Sequence, residues 1–347
     1  MSRHIPDNNR SIQPTPTLQP QRAKRAAPPL RLVRGAGRAL APSVLTIGTF
    51  DGLHIGHVAL IARARERAAE LGLESGLLSF EPMPREVLNA ADPPARLTNF
   101  RERWRLLAGS GLDRLHLLTF NSALRSKSGA DFMALLRGLG VRAIIVGHDF
   151  RFGRGGQASA DWCAAEARHY GFEAEIIAPV LVAGERVSSG LVRTALAGGD
   201  LERAARLLGR PYTMRARVQR GERLGRTLGY PTANLAIARR RTPLAGIFAV
   251  RVRGAALPAR SGGTAGAAGA AGAQGWPAVA SLGTRPTVNG VEPLLEVHLF
   301  DFSGDLYGAE LEVEFVARLR EELRFESIEI MVEQMHRDAA AARAALK

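Results

Sequence analysis

Residues 44–57 read Val-Leu-Thr-Ile-Gly-Thr-Phe-Asp-Gly-Leu-His-Ile-Gly-His, and this stretch decides the fold of the first half of the chain. An apolar segment at 44–47 runs into a glycine-containing turn, and apolar residues then recur at helical spacing. Glycines let the backbone approach an anion closely, and the helix that follows points its positive end at the same place. His54 and His57 lie in the turn and can donate hydrogen bonds to negative charge. The stretch therefore predicts a phosphate-handling site at the carboxyl end of the first strand of an open α/β sheet.

The remainder of residues 30–208 repeats this alternation of strand and helix. Short apolar segments at 77–80, 115–118, 143–146 and 174–177 alternate with helical stretches, as in a parallel sheet. The first helix is expected to end before Gly72, which suits a left-handed cap. The sequence predicts a Rossmann-like α/β domain over 30–208.

The second half has short strands with turn residues between them. Apolar segments at 214–218, 247–252, 278–282, 294–300 and 311–315 predict a small antiparallel β-barrel. Ser327 is expected to cap a C-terminal helix with Ile328, Met331, Val332, Met335 and Ala339 at helical spacing, and its methionines are expected to fill the core. We assign 209–347 to this second domain.

Two segments lack any apolar period. Residues 1–29 hold six prolines among polar and basic residues, which predicts a disordered basic tail. Residues 255–275 are mostly Ala and Gly and predict a flexible insertion in a hairpin.

Composition excludes several classes of protein. The chain has 347 residues, 46% of them hydrophobic, but no uninterrupted apolar run of about 18 residues, so we expect no membrane partner. The N-terminus also lacks the apolar centre of a secretory signal, which favours a cytoplasmic location. A single cysteine, Cys163, excludes an internal disulfide framework and a multi-thiolate zinc site.

The net charge of +14 invites a nucleic-acid interpretation. Residues 1–43, however, carry eight Arg or Lys and one acid, and thus half of the net charge. No nucleic-acid-binding motif or aromatic stacking platform accompanies it, so we expect no nucleic-acid partner.

A second cluster of chemically capable residues lies in the barrel half. Thr232 and Asn234 are two apart in an extended segment after Gly229, so their oxygens can face Mg²⁺ and phosphate together. The alternative is a turn in which both side chains satisfy their own backbone. Glu296 lies between apolar neighbours on a strand, where a carboxylate can accept a hydroxyl proton during phosphoryl transfer.

Taken together, these stretches resemble the bacterial bifunctional riboflavin kinase/FMN adenylyltransferase (FAD synthetase) family. The resemblance extends from about Leu30 to the C-terminus and includes many motifs in order. The matching blocks are residues 47–57, 146–153, 187–193, 207–212, 229–235, 283–288 and 304–308.

The resemblance implies a fold, two activities and a set of site residues. The fold is an α/β nucleotidyltransferase domain followed by a small antiparallel β-barrel with a C-terminal helix. The barrel domain would phosphorylate riboflavin with ATP and Mg²⁺, and the first domain would adenylate FMN to FAD.

By position, the implied catalytic residues are Glu296, His54 and His57. The implied ATP and phosphate contacts are Gly48, Phe50, His54, Gly56, His57, Ser189, Arg193, Gly229, Thr232 and Asn234. Asp149 and Phe150 would contact flavin, and Thr232 and Asn234 would hold the metal.

Some positions depart from the family pattern. Gly190 and Leu191 stand where the family commonly has Thr and Arg, and Met83 stands where histidine is usual. We expect weaker ATP binding by the first domain. Two alternatives stay open, another adenylyl- or cytidylyltransferase and an arginine-rich nucleic-acid-binding protein on this scaffold, and a homo-oligomer is possible.

Overall fold

The computed structural model of the protein describes residues 29–37, 41–221, 229–257, 275–287 and 290–347. The first part of the chain is an α/β domain. Its strands are β1 Arg31–Arg34, β2 Ser43–Ile47, β3 Glu74–Glu81, β4 Arg114–Thr119, β5 Val141–Gly147, β6 Arg151–Phe152, β7 Ala158–Ser159, β8 Glu173–Ile177, β9 Leu181–Val182 and β10 Glu185–Arg186. Its helices are α1 Ile55–Leu71, α2 Pro84–Leu88, α3 Phe100–Ala108, α4 Ser122–Arg125, α5 Gly129–Gly138, α6 Ala160–Glu166, α7 Ser189–Ala197 and α8 Leu201–Leu208.

A six-stranded parallel sheet in the order β1–β4–β3–β2–β5–β8 forms the centre of this domain. The chain passes from β2 to β3 on one side, whereas β5 returns to pair with the other side of β2. The strand order therefore reverses between β2 and β5, and open α/β sheets bind ligands at the carboxyl ends of strands flanking such a reversal. Gly48 follows β2 at this point, and His148 follows β5.

The second part of the chain is a closed antiparallel barrel in the order β11–β12–β15–β14–β13–β16. Its strands are β11 Thr213–Gln219, β12 Ala233–Ala236, β13 Gly246–Arg253, β14 Trp276–Thr287, β15 Gly290–Leu299 and β16 Glu310–Arg320. Helix α9, Ile328–Ala345, follows, and the Ser327 side chain accepts a hydrogen bond from the backbone N–H of Ile330, as a cap does. Closure leaves the barrel no free sheet edge.

The two parts share a hydrophobic core. Helices α7 and α8 contribute buried Val192, Leu196 and Leu207 to a cluster that continues into the barrel interior at Val250 and Val297. The domain boundary at 208/209 stays a prediction, and apolar packing is continuous across it. Burial of that surface is the main favourable contribution to holding the parts together.

The fold class predicted from the sequence is confirmed, with one strand added to the six-stranded parallel sheet and one to the barrel. The strand that ends at Ile47 is the second along the chain, because the edge strand β1 precedes it. Arg31 and Arg34 bound that strand and leave it only two apolar residues, so it shows no apolar run. Strand β12 was also missed, since Ala and Asn have low strand propensity.

Several local expectations can also be compared with the structure. Helix α1 ends at Leu71, and Gly72 takes the left-handed conformation with φ 65°, as predicted. In the C-terminal helix Ile328 is 57% exposed, and Met331 and Met335 are half-buried rather than core residues. The predicted tail, residues 1–29, lies outside the described residues except for Pro29. Residues 258–274 of the predicted insertion also lie outside them. Among the described helices, none has both the length and the apolar character needed to cross a bilayer.

Candidate active sites

The turn after β2 has an unusual backbone. Phe50 and Leu53 have φ of 51° and 43°, although neither is glycine, and Gly52 has φ 80°. Such left-handed conformations cost free energy in residues with side chains, and they persist where the surroundings enforce them. The Arg103 Nη1 atom donates to the Thr49 carbonyl at 2.9 Å, and the Gly52 N–H donates to the Thr98 hydroxyl at 3.0 Å. The turn is therefore fixed by side chains from the following segment of the chain.

The two histidines of the turn form one unit. His54 is the cap of α1, and its Nδ1 accepts a hydrogen bond from the backbone N–H of His57 at 3.3 Å. Because Nδ1 is the acceptor, the proton of the neutral ring is on Nε2. The imidazole rings stack with centroids 3.6 Å apart and an interplanar angle of 15°. A Cβ atom at position 56 would lie only 3.2 Å from the His54 ring, which explains the glycine there.

Burial keeps both imidazoles neutral near pH 7. Desolvation lowers the pKa of His54 to about 4, and the nearby Asp149 carboxylate opposes this only in part. Desolvation, followed by the neighbouring His54, holds the pKa of His57 well below its usual value. The pair can therefore offer neutral N–H donors to developing negative charge.

A cavity of about 660 Å³ opens over this turn, and its size suits a nucleotide-sized ligand. Its walls come from the turn, from the loop after β5 and from the start of α7. All nine site residues predicted for the first domain line it: Gly48, Phe50, His54, Gly56, His57, Asp149, Phe150, Ser189 and Arg193. The structure thus brings together residues from three separate parts of the sequence.

The start of α7 meets the turn directly. The Ser189 hydroxyl donates to the backbone oxygen of Asp51 at 2.8 Å. The Arg193 Nε donates to the Ala95 carbonyl at 2.6 Å, and its Nη2 donates to the Asp51 carboxylate. These bonds use two of the five N–H donors of the guanidinium, and the others can reach a ligand in the cavity that Arg193 lines.

Sequence reasoning assigned no role to three residues near this cavity. Asp51 holds Arg193, and Arg103 holds the turn. Arg186 lines the cavity and pairs with Asp149, with 3.3 Å between Nη1 and Oδ2. Asp51 lies within the matching block 47–57, but no local pattern indicated a role for any of the three, because their partners are distant in sequence.

The barrel cluster is built from two paired strands. Asn234 of β12 lies directly opposite Glu296 of β15 in the ladder. The Thr232 hydroxyl lies 3.5 Å from Glu296 Oε1, so the three predicted side chains are neighbours. Gly229 has φ 80°, and a Cβ atom at Gly221 would lie 2.4 Å from the Asn234 amide nitrogen. Gly229 is thus left-handed shortly before Thr232, and a side chain at position 221 would collide with Asn234.

The donor set at this cluster fits Mg²⁺. Among the described residues, no group of three or more His, Cys, Asp or Glu could hold a metal ion unaided. Mg²⁺ takes oxygen ligands, keeps several waters and completes its shell with substrate phosphates. The Thr232 hydroxyl and the Asn234 amide oxygen match that requirement.

Comparisons with known proteins extend these observations to most of the chain. The family model described as FAD synthetase matches residues 37–191, and the one described as riboflavin kinase matches residues 208–346. A bifunctional riboflavin kinase/FMN adenylyltransferase from Pseudomonas fluorescens is 44% identical over 91% of this chain and 97% of its own length. The protein of that name from Escherichia coli K12 is 37% identical over 90% of this chain and 97% of its own length.

Solved structures give the same picture of the fold. A crystal structure described as a macrolide-efflux protein from Streptococcus pneumoniae is 29% identical, with a TM-score of 0.72. The alignment covers 90% of this chain and 98% of that one, so the likeness includes both parts of the molecule. With curated relatives matched over nearly their full length, the chain belongs to the bifunctional riboflavin kinase/FMN adenylyltransferase family.

Proposed function

We propose that this chain makes FAD from riboflavin in two ATP-dependent steps. In the first, the 5′-hydroxyl of riboflavin attacks the γ-phosphorus of ATP, giving FMN and ADP. In the second, a phosphate oxygen of FMN attacks the α-phosphorus of another ATP, giving FAD and pyrophosphate. Flavins and ATP are then the substrates of both domains.

The observation that carries the adenylyl transfer is the convergence of nine predicted residues on one cavity at the reversal of the strand order. The neutral His54–His57 pair would donate hydrogen bonds to phosphate oxygens as the α–β bond breaks. Ser189 and Arg193, at the positive end of α7, would hold the phosphates, and the arginine fork suits a bidentate contact. Asp149 and Phe150, on the loop after β5, would contact the flavin.

In the barrel domain, Glu296 would accept the proton of the attacking hydroxyl. Its position opposite Asn234, with Thr232 beside it, supports this role. The riboflavin hydroxyl and the ATP phosphates would then meet where β12 pairs with β15. Thr232 and Asn234 would hold Mg²⁺, which when bound neutralises charge on the ATP phosphates. Gly229 would let the backbone approach the nucleotide.

The competing interpretations gain no support. A different nucleotidyltransferase would not account for the riboflavin kinase match over 208–346. A nucleic-acid-binding protein would not account for relatives that span both domains. The cytoplasmic location, the absence of nucleic-acid partners and the oligomeric state stay predictions.

One experiment tests the proposal. The purified chain is incubated with riboflavin, ATP and Mg²⁺, and the flavins are separated by chromatography. FMN and FAD together would support two active domains. FMN alone would refute the adenylyltransferase assignment. If neither FMN nor FAD were formed, both assignments would be refuted.

A further inference from the structure

The strongest unassigned feature near the first cavity is the buried carboxylate of Asp51. The residue is 1% exposed, yet it forms part of the cavity wall. Burying an unpaired carboxylate costs free energy, so the groups that pair with Asp51 should indicate its role. Those partners fall into two groups, one on the backbone and one on Arg193.

The first group consists of the backbone of Leu97 and Thr98. The Leu97 N–H lies 3.1 Å from Oδ1, and the Thr98 N–H lies 2.9 Å from the same oxygen. The Thr98 hydroxyl is 3.2 Å from Oδ1. Hydrogen bonds to the charged form of a carboxylate stabilise it in a buried position.

The second partner is the Arg193 guanidinium, which donates through Nη2 to Oδ2. The Leu97 N–H is also 3.2 Å from Oδ2, so the carboxylate receives backbone donors and a cation together. Arg193 is also fixed through its Nε to the carbonyl of Ala95, two residues before Leu97. The guanidinium is thus held at two points. A free arginine side chain loses rotamer entropy when it binds a ligand, whereas a side chain that is already held loses less.

The barrel holds the same segment from its other side. The Leu97 carbonyl accepts hydrogen bonds from the Tyr212 hydroxyl at 2.9 Å and from Arg239 Nη2 at 3.0 Å. Arg239 also pairs with the buried Glu102 at 2.5 Å. Residues 95–98, whose backbone binds Asp51 and Arg193, are therefore also hydrogen-bonded to the second domain.

We propose that Asp51 is a positioning residue, which fixes the Arg193 guanidinium at the cavity so that it meets the phosphates of ATP in a preset orientation. This inference rests on the proposed adenylyl transfer and adds to it the residue that orients the phosphate clamp. Preorganised charges stabilise a transition state without the cost of reorganising during the reaction. Loss of the carboxylate should therefore slow FAD formation, because Arg193 is no longer held in this orientation.

The test is a double-mutant cycle on FAD formation from FMN and ATP. Asp51→Asn keeps the size of the side chain and removes its charge. It should lower kcat/KM for ATP by about 10-fold or more, the scale of a charge-assisted hydrogen bond. When Arg193 is already alanine, the added Asp51→Asn change should cost less than about 2-fold, because the group through which it acts is gone.

Controls separate this inference from misfolding and from failure of the proposed function. Asp113→Asn is a matched variant, since Asp113 also accepts a backbone N–H, that of Ser75 at 2.8 Å, but lies outside the cavity lining. It should retain FAD formation, and all variants should retain FMN formation from riboflavin. If Asp51→Asn is as active as the unmodified chain, or if its effect multiplies with that of Arg193→Ala, the positioning role is wrong. If the unmodified chain makes no FAD, the proposed function itself fails.

Discussion

Replacing His57 with alanine tests the neutral-donor role of the histidine pair. Burial, and next the neighbouring His54, hold the pKa of His57 well below its usual value, so the variant removes a neutral donor rather than a charge. Removing one preorganised donor to developing charge costs about 2.7–4 kcal/mol, or roughly 10²–10³-fold in kcat. We expect that loss in FAD formation.

The same substitution should disturb the fold far less. The His57 ring stacks on His54 at 3.6 Å and lies 4.7 Å from the Phe50 ring, and aromatic pairs contribute about 0.5–1.5 kcal/mol each. The kinase domain does not contain these residues, so FMN formation should be unchanged. His57→Gln, which restores an N–H donor, should recover part of the lost rate.

The assay measures initial rates of FAD formation from FMN at saturating ATP, with FMN formation from riboflavin in the same preparation. The exposed His169→Ala serves as the matched control. The reasoning is refuted if His57→Ala keeps a third or more of the FAD-forming rate. It is also refuted if a folded His57→Ala variant loses both activities equally.

Three further changes have definite expected outcomes. Glu296→Gln should abolish FMN formation while FAD formation from supplied FMN continues, and a variant that loses both while folded would contradict separate sites. Gly190→Thr should lower KM for ATP in FAD formation, because a Cβ at that position meets only the Ser188 hydroxyl at 3.6 Å; an unchanged or higher KM would contradict this. His116 is 0% exposed, neither ring nitrogen has a hydrogen-bond partner among the described residues, and burial lowers its pKa to about 4. Its depressed pKa gives stability that is present above about pH 6.5 and lost as the pH falls toward 4, amounting to up to about 2 kcal/mol at pH 5. Urea unfolding at pH 7.5 and pH 5 should therefore show a smaller acid loss for His116→Leu than for the unmodified chain or the exposed His169→Leu.

Local patterns were enough for most of the elements. The helix from Ile55 to Leu71 follows from apolar spacing and from Gly72, and both signals lie within a few residues of the structure they specify. The same holds for the five barrel strands whose apolar residues alternate. The site histidines were found because their turn is one continuous stretch.

Other features required the tertiary structure, because they depend on pairs that are far apart in sequence. Asp51 and Arg193 are 142 residues apart, and neither residue type at its position marks the other. Strand β1 was missed because its position at the sheet edge, rather than an apolar run, allows it to pair with β4.

The features found from the sequence and those found only in the folded structure have different physical causes. Backbone conformation and helix ends respond to neighbouring residues, so the sequence by itself determined most of the order of elements, the glycine-containing turn after β2 and the family. The pKa values of His54 and His57, the clamp on Arg193 and the anchoring of Leu97 to the barrel arise from desolvation and from distant charges. Only the folded chain brings those groups together.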